Sequence, residues 1–150
     1  MGDSRKRLVD VTESEWDTAS GINLTGTFLF TRAALPHPFD RGRGNVINVS
    51  SGLGRRAIAG AGPYVSSKWG LEGFTRVTAL EGEEHGVNAN AFDPGGRVDT
   101  DIWAHLPDEE RAEILPPDVM DDAAVLLAAQ GPDGVTGGST TAEGWEERLG

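Results

Sequence analysis

Gly44-Asn45-Val46-Ile47-Asn48-Val49-Ser50-Ser51 is the stretch on which the fold turns. Its centre, Asn45 to Ser50, is short, apolar and rich in β-branched residues. The turn Arg41-Gly42-Arg43-Gly44 precedes it and a glycine-bearing loop, Gly52 to Gly62, follows it, so it reads as a strand. Val87 to Phe92 has the same character and is stopped by Asp93-Pro94-Gly95-Gly96, which predicts a second buried strand. Between them a helix is predicted from Pro63 to about Glu84, with Trp69, Leu71, Phe74, Val77, Thr78 and Leu80 as its buried side and His85-Gly86 as its stop.

Upstream, Thr12-Glu13-Ser14-Glu15 fits a capping box, a hydroxyl N-cap with a carboxylate three residues on. The helix it opens should run from about Glu13 to Ala34, with Trp16, Ile22, Leu29 and Phe30 in apolar contact, and Pro36 and Pro38 should close it. Residues 1–11 read as loop. Downstream, residues 101–115 suggest one or two short helices, Asp118 to Ala129 a further helix, and Val135-Thr136-Gly137 the start of a last short strand. Buried strands alternating with helices imply an α/β fold with a parallel sheet. Two firm strands are too few for a complete doubly wound domain, so the 150 residues are read as a single, partial Rossmann-like domain.

Composition excludes several classes. The chain has no cysteine, which removes disulfides and thiolate chemistry, and His37, His85 and His105 show no metal-ligand spacing. No apolar run approaches the roughly 20 residues needed to span a membrane. The start, Met-Gly-Asp-Ser-Arg-Lys-Arg, leads into no apolar segment of a secretory signal, so a cytoplasmic protein is expected. The net charge of -11 is uneven: residues 1–75 carry 9 basic and 7 acidic residues, residues 76–150 carry 4 and 17. Such a chain is a poor candidate for nucleic acid or an anionic membrane.

One pair carries chemistry. Tyr64 and Lys68 stand four apart on the predicted helix and so share a face, one turn apart. A phenol is a poor acid–base group at its ordinary pKa of about 10. A neighbouring ammonium favours the phenolate and brings it toward the working range, which suits proton transfer to or from an alcohol. By itself the pair is a weak signal, more often a surface tyrosine beside a surface lysine. Ser50-Ser51 ends the first strand, where α/β sheets bind ligands, and a hydroxyl there could bond a substrate oxygen; it also suits an ordinary turn.

Taken together, Gly44 to Ser51, then Tyr64-Val65-Ser66-Ser67-Lys68, then Asn90-Ala91-Phe92-Asp93-Pro94-Gly95, resemble the short-chain dehydrogenase/reductase family. The family's serine lies thirteen residues before its tyrosine, which selects Ser51 over Ser50. Ile22-Asn23-Leu24-Thr25-Gly26-Thr27-Phe28 resembles the setting of its catalytic asparagine, which selects Asn23. The resemblance implies a catalytic set of Asn23, Ser51, Tyr64 and Lys68. Tyr64 would be the acid or base, Lys68 would also hold the nicotinamide ribose, Ser51 would polarise the substrate carbonyl, and Asn23 would place a relay water. It further implies that Pro94, Gly95, Gly96, Val98 and Thr100 lie against the nicotinamide, although one extra residue separates Gly95 from Val98 relative to the family pattern.

The family's glycine-rich dinucleotide motif is absent, and Gly60-Ala61-Gly62 reads as loop. The chain therefore resembles the C-terminal part of a member. It is expected to touch only the nicotinamide end of NAD or NADP, the choice between them being unreadable. A small alcohol or carbonyl substrate follows from the resemblance, with no metal, and with a homo-oligomer through the helices near 13–34 and 63–84. Arg55, Arg56, Ile102 and Trp103 fall in loops that the family uses to shape its substrate pocket; the two arginines would suit an anionic substrate, although arginines that are simply exposed are more common. The alternative is a truncated, inactive fragment or interaction module. The lone chain is also expected to bind dinucleotide poorly, and to expose the Asn45–Ser50 strand as an apolar edge.

Overall fold

A computed structural model describes residues 5–150, the Ile102 side chain excepted; of the loop expected at residues 1–11, residues 1–4 lie outside it, and Leu8–Asp10 form a 3₁₀ turn closed by the Val11 amide on the Leu8 carbonyl. The capping box forms as read: the Glu15 amide donates to Thr12 Oγ1 at 3.2 Å, and the Thr12 amide donates to Glu15 Oε2 at 3.0 Å. It opens α1 (Glu13–Ser20), which runs through a π-helical turn, Gly21–Thr25, into α2 (Gly26–Ala34). Pro36 does not simply end this segment but starts a short helix, α3 (Pro36–Arg41), because proline is tolerated in a first helical turn.

The strands fall where the pattern put them, at β1 (Gly44–Val49) and β2 (Val87–Asp93). Between them α4 spans Gly62–Gly82, so Gly62 belongs to the helix and not to the loop. The pair is parallel and in register from Gly44↔Val87 to Val49↔Phe92. After β2 come α5 (Asp108–Arg111), α6 (Asp121–Ala128), β3 (Ser139–Thr141) and α7 (Ala142–Leu149). The three described strands form one parallel sheet in the order β1-β2-β3. β1 is thus an edge strand, and all of β2 is buried.

Alternation along the strands sorts the layers. Ile47 and Phe92 point to the face where Ala123 and Leu127 of α6 and Ala142 and Trp145 of α7 form the apolar core. Asn48 points to the other face, where its amide donates to Thr75 Oγ1 of α4 at 2.8 Å. Gly82 lets α4 end tight against the sheet: a Cβ there would lie 2.3 Å from the Val87 carbonyl oxygen. The asparagines of β2 are latches. Asn88 donates to Asn45 Oδ1 and to the Gly131 carbonyl; Asn90 donates to the Val135 carbonyl and accepts from the Gly138 amide. These bonds draw residues 131–138 alongside β2, so the ladder to β3 begins at Ser139 and not at Val135.

Helix α4 corrects the expected burial. Leu71 and Thr78 are buried, but Trp69, Val77 and Leu80 are exposed, as are Trp16, Ile22, Leu29 and Phe30 on the N-terminal helices. The inward side of α4 is instead largely polar, with Ser67, Lys68, Glu72 and Thr75 buried. Apolarity is a reliable guide to the inside only when the buried face is not reserved for polar groups, each of which must then find a partner.

Candidate active site

The site is built at the C-terminal end of β1 and on the first turns of α4. Ser50 and Ser51 follow β1 directly. Ser50 is buried and its hydroxyl donates to Glu72 Oε1, while Ser51 is half-buried and its Oγ accepts from the Leu53 amide at 3.2 Å. The Ser50 proton is thereby committed, whereas the described contacts of Ser51 use only a lone pair. The 3₁₀ turn that follows, Gly52–Gly54, sits hard on α4: a Cβ on Gly54 would meet Ser50 Oγ at 2.9 Å and the Lys68 carbonyl at 3.1 Å.

Tyr64 and Lys68 lie one turn apart on α4, with the ammonium 5.8 Å from the phenol ring centroid. Lys68 Nζ donates to the Val49 carbonyl at 2.9 Å, which ties the helix to the end of β1. An ammonium has three donors, and the described contact uses one. Burial pushes the Lys68 ammonium below the usual lysine range, and the Glu72 charge one turn further along works against that shift.

Asn23 comes from the opposite side. It sits in the π-helical turn, and its amide donates to Ser67 Oγ at 3.1 Å; Ser67 in turn donates to the Tyr64 carbonyl at 2.8 Å. Thr27 donates to the Asn23 carbonyl at 2.9 Å. A π-helical turn displaces one residue from regular α-helical register and is frequent at functional positions; here it presents Asn23 to α4. Asn23 and Lys68 both line an open groove of about 370 Å³ between α2, β1 and α4, with Phe30, Ile47 and Leu71 among its walls.

The segment after β2 is separate but joined through one cation. Gly95 adopts φ +81°, a conformation that favours glycine, and its amide donates to Asp93 Oδ1 at 2.9 Å, closing the Pro94-Gly95 turn. Val98 bridges to Leu115, and Thr100 is exposed. Arg55 reaches across: Nη2 contacts Asp93 Oδ2, and Nη1 donates to Ser139 Oγ at 2.8 Å and Glu72 Oε1 at 3.3 Å. Its guanidinium is therefore occupied, which corrects its reading as a receptor for a substrate anion. Trp103 carries the Arg97 guanidinium 4.8 Å from its ring centroid, and Trp69 Nε1 donates to the Arg56 carbonyl.

Pattern reading missed Glu72, Asp93 and Ser139. The available signal was Glu72, four residues beyond Lys68 and so on the same face. Its Oε2 is buried with no hydrogen-bond partner among the described residues, a costly arrangement. Nothing in spacing could bring Asp93 and Ser139 to Arg55; the parallel pairing of β2 with β3 does so.

The geometry can be set beside known proteins. A profile of the short chain dehydrogenase family matches residues 3–111. The (3R)-3-hydroxyacyl-CoA dehydrogenase of Mus musculus is 32% identical over 147 residues, covering 91% of this chain and 56% of its own length. The D-beta-hydroxybutyrate dehydrogenase of Cupriavidus necator is 46% identical over 88 residues, covering 59% of this chain and 34% of its own. A gluconate 5-dehydrogenase from Burkholderia cenocepacia, solved with NADP and tartrate, superposes with a TM-score of 0.81 at 24% identity, covering 94% of this chain and 60% of that one; this likeness is one of fold. The chain spans between 34% and 60% of the length of these proteins. With the profile matched over most of its length and the parallel α/β sheet in place, the chain belongs to the short-chain dehydrogenase family.

Proposed function

We propose that the chain carries the acid–base half of a nicotinamide-dependent oxidoreductase that interconverts an alcohol and a ketone or aldehyde. The observation that carries this reading is the inward face of α4, where Tyr64 sits one turn from a buried Lys68 whose ammonium keeps two donors uncommitted among the described contacts. A buried ammonium is expensive unless it is used.

The residues fit the nicotinamide end of NAD or NADP. Lys68 has donors left for ribose hydroxyls, and the Gly95 turn, which carries no Cβ, offers backbone that a ligand can approach closely, with Pro94, Gly96, Val98 and Thr100 beside it. The nicotinamide supplies or accepts the hydride. In the reducing direction the Tyr64 hydroxyl gives its proton to the carbonyl oxygen; in the oxidising direction it takes the proton of the alcohol. Ser51, whose hydroxyl proton is uncommitted among the described contacts, donates to the same substrate oxygen and orients it. Lys68 supports the phenolate. Asn23, held by Ser67, faces the groove that it shares with Lys68 and holds water there as the route for replacing the proton.

The hydroxyacyl-CoA and hydroxybutyrate dehydrogenases among its relatives support a substrate that carries a hydroxyl on an acyl chain. No helix among the described residues is long and apolar enough to cross a membrane. The outward apolar residues Phe28, Trp69, Val77 and Leu80 support a homo-oligomer through α2 and α4. The test joins this chain to the dinucleotide-binding half of a relative and follows NADH and NADPH absorbance with 3-hydroxybutyrate, acetoacetate and gluconate. Cofactor-dependent turnover is expected. A folded fusion that binds cofactor but turns over none of a broad panel of alcohols and ketones would favour the inactive-fragment reading.

A further inference from the structure

We infer that Arg55 is a positioning residue of this site: its guanidinium locks the turn after β2 and the strand end before Ser51 to α4, and so fixes the nicotinamide-facing turn relative to Tyr64 and Lys68. The inference rests on the oxidoreductase reading for its functional meaning. Its geometry is independent of it.

Four segments meet at this one side chain. Arg55 belongs to the loop that begins with Ser51 and itself contacts Asp93 at the end of β2, Ser139 at the start of β3 and Glu72 on α4. Glu72 Oε1 also accepts from Ser50 and from Ser139. Both carboxylates are almost fully buried, at 6% and 3% side-chain exposure, while Arg55 keeps 31%. Buried carboxylates of this kind are strongly destabilising unless a cation is held on them.

The division of labour on Asp93 gives Arg55 its role. Oδ1 accepts from the Gly95 amide and shapes the turn; Oδ2 meets Arg55. Rotation of the Asp93 carboxylate would move both contacts together, so the cation that fixes one oxygen fixes the turn built on the other. Only a forked guanidinium can reach a carboxylate on β2 with one nitrogen and a hydroxyl and a carboxylate with another; a lysine presents a single point of charge.

The test is made on the 150-residue chain, without cofactor, by residue-resolved amide hydrogen exchange. In Arg55→Met, exchange at the Gly95 amide should rise by on the order of tenfold, the loss of one hydrogen bond's worth of protection, while Val87 to Ala91 keeps the parent's rates. Arg55→Lys keeps the charge without the fork, and the Gly95 amide should stay unprotected. Parent-like exchange at Gly95 in the Met variant, a uniform rise across β2, or full rescue by lysine would each overturn the inference. Where the Met variant fails to fold, the Lys variant decides: lost protection at Gly95 supports the lock and retained protection refutes it. None of these signals requires turnover, so failure of the lock and failure of the oxidoreductase reading are separate results.

Discussion

The two faces of the sheet are built to opposite specifications. On one, Phe92 meets Leu127 and Trp145 in a core with almost no exposed surface, and the only polar side-chain atom of Trp145 is satisfied by its 3.0 Å bond to the Ala91 carbonyl. On the other, α4 turns Ser67, Lys68, Glu72 and Thr75 inward and leaves Trp69, Val77 and Leu80 outside. The first face is what a chain does to be stable. The second gives up apolar burial of roughly 1.5–3 kcal/mol per large side chain and takes on buried charge. Stability and chemistry are thus separable here, face by face.

The sharpest way to break that contrast is Trp145→Ala. Trp145 is 0% exposed, and its truncation should cost about 3–5 kcal/mol, read as a fall in the denaturant midpoint. A loss below 1 kcal/mol would mean that the α6/α7 face is not the stabilising one. On the other face Lys68→Met should behave in the opposite way. Burial lowers the Lys68 ammonium's pKa, so the folded state carries a charging penalty that is complete below its folded pKa. The penalty shrinks as pH rises toward the unfolded value of about 10.4. The Met variant should therefore be at least as stable as the parent at pH 7, with its advantage fading in alkali; a large loss of stability at pH 7 would make Lys68 structural. The smallest effect lies remote from both faces. Thr12→Ala removes the α1 cap and should cost about 1 kcal/mol. The Lys6 contact and the capping bonds hold the Glu15 carboxyl at about 2. Its contribution should be intact above the unfolded value of about 4.3 and fade as pH falls toward about 2, visible as loss of helical circular dichroism in acid.

The sequence is legible where one physical rule dominates. β1, β2 and the extent of α4 follow from runs of apolar residues between turn formers, and α1 follows from its cap. Helix α7 escaped notice because Ala142-Glu143-Gly144-Trp145-Glu146-Glu147-Arg148-Leu149 is polar and carries a glycine. It exists because Thr141 caps it through the Gly144 amide and Trp145 fills the core, a tertiary cause that no local pattern reveals. The inward face of α4 was misread for the converse reason: its apolar residues are conspicuous, and its buried polar ones acquire partners from distant segments, β1 and the loop after it, β3 and the π-helical turn. Among the candidate site residues, Tyr64 and Lys68 stood out by their spacing, a weak signal that the resemblance turned into an assignment. Asn23 and Ser51 needed the resemblance, and the Arg55 cluster needed the sheet.

The claim that the α4 face exists for proton transfer is tested most directly by Tyr64→Phe in the chain completed with a dinucleotide-binding half. The change deletes one hydroxyl from a half-buried side chain. The thermal midpoint and cofactor affinity should stay close to those of the parent fusion, while turnover falls by roughly 10²–10⁴-fold. Turnover within a factor of about two of the parent, outside that expected range, would contradict the account.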